Sequence, residues 1–138
     1  MLLLLVTLAS SCWLVFPRHT VEVELVKDAV PPSFRVTGDE RLKWIWVVGP
    51  AHTDIKTPLL WKIIPKDNHY PLVKELPVIT YGVVPSGWIQ ETPSDGSPPP
   101  SLQEGNLYGI SVVTSLNFNG RLGLVIEHGK AKVSKNNF

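Results

Sequence analysis

A chain of 138 residues with thirteen Lys and Arg against twelve Asp and Glu has a formal charge of +1, and those charges are scattered rather than gathered into a stripe. The electrostatic footprint of a nucleic-acid binder is therefore missing, and the length suits one domain with one modest core that needs no metal or disulfide staple. Thirteen prolines and ten glycines, with many Val, Ile, Trp and Tyr, describe short extended segments between turns, a β composition with little room for disorder.

The run from Leu2 to Phe16 is almost wholly apolar, and the first charged residue of the chain is Arg18. It falls short of the ~20 apolar residues that cross a bilayer and suits the roughly 7 to 15 of a secretory signal core. The expectation is an exported protein whose domain lies outside the cytoplasm. Within the run, Leu8-Ala9-Ser10-Ser11-Cys12 resembles the lipobox of bacterial lipoproteins, where small residues admit the peptidase and the cysteine thiol accepts lipid. That resemblance implies a bacterial cell envelope, lipidation at Cys12 and a membrane as partner through the N-terminus. The lone cysteine fits, since an exported chain with one thiol forms no internal disulfide. The competing reading is an uncleaved short anchor holding an ordinary apolar cysteine: no Lys or Arg precedes the run, and Trp13-Leu14-Val15-Phe16 stay apolar beyond it. Residues 1–18 are read as leader or anchor, 19–134 as the domain and 135–138 as a tail.

After Arg18, Thr20 to Val26 alternates apolar with charged residues and places Val21, Val23 and Leu25 on one face of a half-buried strand. Pro31-Pro32 break the chain, Phe34-Arg35-Val36 make a short extended piece, and Thr37 to Glu40 form a turn cluster. Leu42 to Val48 reads as a central strand with Leu42, Trp44, Trp46 and Val48 on one face, because both faces turn apolar toward its end. Gly49-Pro50 ends it, and Pro58 to Ile64 is the next strand, with Leu59, Trp61 and Ile63 inward. Beyond the polar stretch Pro65 to Pro77, Val78 to Val84 and Trp88 to Glu91 read as neighbouring strands joined at a corner. Pro93 to Ser101 cannot lie inside a sheet and is read as an extended surface connection.

Tyr108, Ile110, Val112 and Thr114 share a face, Asn117 to Gly120 offers an Asn-Gly turn, and Leu122, Leu124 and Ile126 face inward, which makes a hairpin. A second turn at His128-Gly129 launches an edge strand, Lys130 to Val133, whose lysines discourage pairing with other molecules. Turn signals every 8 to 12 residues or so point to an all-β antiparallel sandwich. Leu102-Gln103-Glu104-Gly105-Asn106-Leu107-Tyr108, with Asn117 and Gly120 beyond, resembles the tyrosine corner of fibronectin type III domains, with Glu104 where that family usually has proline. The resemblance implies an immunoglobulin-like or fibronectin type III-like sandwich in which Leu102, Gly105 and Tyr108 define a corner and the Tyr108 hydroxyl bonds back to upstream backbone. It implies nothing about function.

No nucleophile with its base and no pair of carboxylates stands out, so no catalytic residue is assigned and no cofactor is expected. The nearest metal-like pattern, His52-x-Asp54 with Asp67-x-His69, brackets a strand that spans roughly 20 Å, which puts the two pairs at opposite ends. No metal site follows. Of the five tryptophans, Trp13 belongs to the leader, and Trp44, Trp46 and Trp61 are accounted for by core packing. Trp88 and Tyr70 remain as candidate exposed ligand contacts, although packing also explains both. The expectation is a noncatalytic, membrane-tethered envelope module that binds a protein partner; a carbohydrate-binding domain with an aromatic platform is the second reading, and a small enzyme the third.

Overall fold

The computed structural model describes residues 20–51, 56–117 and 119–135. Period-two alternation resolves into strands β1 (Glu22–Lys27), β2 (Ser33–Thr37), β3 (Leu42–Val48), β4 (Leu59–Pro65), β5 (Ile79–Thr80), β6 (Trp88–Thr92), β7 (Leu107–Thr114), β8 (Asn119–Glu127) and β9 (Lys130–Val133). All ladders among them are antiparallel, and they build two sheets in the orders β1-β2-β5 and β6-β4-β3-β7-β8-β9. The fold is an all-β sandwich. Its core comes from Phe34, Val36 and Ile79 of the small sheet and from Ile45, Trp61, Ile63, Ile110, Val112, Leu124 and Ile126 of the large one. One side of the sandwich is zipped shut, because Ala29 bridges to Lys130 and the Ala131 N–H donates to the Asp28 carbonyl at 2.7 Å.

β3 is the central strand that its apolar faces predict, but its inward residues are not the expected ones. The β3–β7 register shifts between Leu42 and Trp44. Leu42, Ile45 and Val47 are consequently buried, while Trp44, Trp46 and Val48 are half-buried on the outer side. One irregular residue moves every following side chain to the other face, so the tryptophans assigned to the core stand outside it. In β4, Trp61 and Ile63 point inward as expected, whereas Leu59, at the strand's open end, is exposed.

Two other expectations change. Of Val78 to Val84 only Ile79 and Thr80 pair, against Phe34 and Ser33 of β2, while β6 pairs with β4 in the opposite sheet. The two segments are thus not neighbours, and the chain between them crosses the sandwich. The β7–β8 turn lies one step before the Asn-Gly pair: Asn117, at φ 62°, donates its N–H to the Thr114 carbonyl at 2.9 Å, and Asn119 and Gly120 already pair with Val113 and Val112. Gly120 has a packing role instead. A Cβ there would stand 2.8 Å from the Val21 carbonyl oxygen, so glycine lets the start of β1 close onto β8.

Gly49 is the tightest of these positions. At φ 143°, its Cβ would sit 2.4 Å from Cδ1 of Tyr108, against a backbone conformation that L side chains rarely adopt. Strain and overpacking together should make Gly49→Ala about 2–4 kcal/mol less stable in urea unfolding, whereas Tyr108→Phe, which keeps the ring and loses one hydrogen bond, should cost about 1 kcal/mol. A Gly49→Ala midpoint equal to that of the parent would contradict the packing described.

Candidate binding face

The outer face of the large sheet collects what β3, β4 and β6 do not bury. Trp44 and Trp46 project from β3 with ring centroids 6.1 Å apart and planes tilted by 43°. The ammonium groups of Lys43 and Lys62 lie 4.7 and 5.0 Å from the Trp44 centroid, within range for attraction to the ring quadrupole. Lys62 also ion-pairs with Glu91 of β6. Tyr70 completes the group: two single 3₁₀ turns, Lys66–Asn68 and Val73–Glu75, carry the chain from β4 around the end of the sheet, and Arg41 donates to the Tyr70 carbonyl at 2.9 Å. Trp44, Lys43, Lys62, Glu91 and Tyr70, with Asn68 and Ile64, line a shallow recess of about 210 Å³, and Trp46 stands beside it. Trp44 Nε1 is shut off from water and has no hydrogen-bond partner, an arrangement that costs on the order of 1–3 kcal/mol.

Of the two aromatics singled out in the sequence, only Tyr70 belongs to this recess. Trp88 pairs with Pro65 at the start of β6, its alternation points it inward, and it is 8% exposed. It packs with the core, and what it leaves uncovered faces a separate recess with Asp67, His69 and Leu76. Asp67 and His69 are exposed on and after the first 3₁₀ turn, while His52, Asp54 and Cys12 lie outside the described residues. Among the described residues no three His, Cys, Asp or Glu side chains gather into a metal set.

No protein-family model, curated protein or solved structure matches this chain. What it can do is therefore argued from its own side chains. Trp44, Trp46, Lys43 and Lys62 were missed in the sequence because the alternation assigned both tryptophans to the core. The available signal was a strand apolar on both faces, which leaves one face in excess of what a single interior can absorb.

The corner residues occupy the opposite end of β7. Leu102 is buried, Gly105 at φ 78° donates its N–H to the Ile126 carbonyl at 2.8 Å, and Tyr108 Oη accepts the Gln103 N–H at 2.8 Å. Glu104 accepts the N–H groups of His128 and Gly129 at the β8–β9 turn, at 2.5 and 3.1 Å. The backbone hydrogen bonds of Gly129 and then His128 hold its carboxyl below the ordinary range. A carboxylate with a lowered pKa stabilises the fold above its unfolded pKa of about 4.3 and loses that contribution as pH falls through the folded value. Thermal unfolding should therefore show Glu104→Gln melting lower than the parent at neutral pH and the two curves converging in acid. Parallel curves across that range would refute the assignment.

Proposed function

We propose that this chain is a noncatalytic, exported module, tethered to a bacterial envelope membrane through its N-terminus, that binds a protein partner through the outer face of the large sheet. The observation that carries the binding face is the pair Trp44 and Trp46 on the solvent side of the central strand, where a one-sided antiparallel sheet ordinarily presents polar residues. Aromatic side chains at the centre of a patch, edged by polar groups, are the usual energetic anchors of protein interfaces. With Lys62 paired to Glu91, Lys43 leaves the excess positive charge at this patch, so the complementary surface is apolar at its centre and acidic opposite Lys43. The tether is supported by Leu2 to Phe16 and the lipobox-like Leu8 to Cys12. The sheet orders and the Tyr108 bond to Gln103 support an immunoglobulin-like, fibronectin type III-like reading of the sandwich.

A glycan is the second reading, favoured by Tyr70 and Asn68 beside Trp44 in one recess. Against it, two ammonium groups already approach the Trp44 ring that a pyranose would need. A photo-crosslinker placed at Trp46 of the full chain in intact envelopes should yield a discrete protein adduct that Lys43→Glu weakens several-fold, while one at Arg35, on the small sheet, should not. Equal adducts from both positions would count against the face. Retention on glycan arrays or peptidoglycan, lost in Tyr70→Ala, would transfer the assignment to the second reading.

The tether has its own test. Palmitate label and membrane retention should both disappear in Cys12→Ala; unlabelled and uncleaved parent protein would overturn lipidation.

A further inference from the structure

The chain enters the sandwich at a defined end. Val21 precedes β1 and its carbonyl lies against Gly120, near the start of β8, so the described chain begins beside the β7–β8 turn. That turn carries Leu116, which is 59% exposed although nothing in the core requires an apolar side chain there. Between Cys12 and Thr20 the chain can extend at most about 30 Å, at roughly 3.3–3.6 Å per residue. β8 runs away from this end for nine residues, so the opposite turn at His128 lies about 30 Å further off.

We infer that the end of the sandwich bearing the β7–β8 turn rests against the membrane, with Leu116 entering the lipid interface. This rests on the tethered reading above. The exposed charges near this end have both signs, with Glu22 and Asp39 beside Arg41, Lys74 and Arg121. The contact is therefore apolar rather than an attraction to anionic headgroups, and the large sheet's outer face is left standing alongside the membrane normal, open to a partner in the envelope.

The test uses the full chain, lipidated at Cys12 and reconstituted in phosphatidylcholine vesicles with or without phosphatidylglycerol. Lipidation blocks the native thiol, the only cysteine of the chain, so an environment-sensitive dye can be placed at Leu116→Cys or, as the far-end reference, at His128→Cys. Both positions are exposed. Doxyl-labelled lipids should quench the dye at 116 several-fold more than the dye at 128, with its emission shifted to the blue, in both lipid compositions. Membrane-bound protein with equal quenching at the two positions would overturn the inference and leave the tether standing. Quenching at 116 only in the presence of phosphatidylglycerol would overturn the apolar contact. Protein that stays off the vesicles would remove the tether and the inference together.

Discussion

Two sheets of unequal width share a dry interior only if the middle strand of the wider one presents an unbroken apolar edge to it. β3 meets that demand by slipping its register between Leu42 and Trp44, which brings Leu42, Ile45 and Val47 into line with Trp61 and Ile63 of β4 and with Ile110 and Val112 of β7. The slip has a second effect on the opposite face, since the bulkiest side chains of the strand are turned to solvent. An aromatic surface and a well-packed interior thus arise from one local irregularity, and neither can be altered without the other.

Polar groups near the core are satisfied in a way that also fastens the proline-rich connection. Proline has a carbonyl acceptor and no N–H, so a proline-rich segment can be held to a sheet only by donors from elsewhere. Gln90 and Tyr81 provide them. Gln90 accepts the indole N–H of buried Trp61 at 3.0 Å and donates to the carbonyls of Pro93 and Ser97 at 2.9 and 2.8 Å. The Tyr81 hydroxyl donates to the Pro100 carbonyl at 2.7 Å, and its ring meets Trp61 edge-on at 5.6 Å. Burial first, and the neighbouring Tyr108 second, push the Tyr81 pKa well upward, so the phenol keeps the proton it donates. Trp61 thereby connects the interior to a loop that no ladder could hold.

The sheet-forming segments were legible because alternation survives in single strands: Val21 to Leu25, Tyr108 to Thr114 and Leu122 to Ile126 face the way their spacing says. Long-range facts were not. The face of β3 depends on a register irregularity created by β7, the brevity of β5 on its few pairings with β2, and the burial of Trp88 on Pro65 opposite it. Each is decided by a partner strand distant in sequence. The outer aromatic face was hidden for the same reason, since Trp44 and Trp46 were accounted for as core, whereas the partial exposure of Tyr70, flanked by polar residues and proline, could be read from its neighbours alone.

The placement of β1 has a mechanical consequence. β1 is the first strand in the sequence and an edge strand, whose register with β2 extends from Glu22↔Thr37 to Lys27↔Ser33 and whose far end is stitched to β9 at Ala29. If the N-terminus is held while the outer face is pulled away, the load passes lengthwise along β1. The β1–β2 hydrogen bonds then share it in shear, together with the β9 stitch, instead of opening one at a time. A domain joined to its support through this strand is built to transmit tension before it yields.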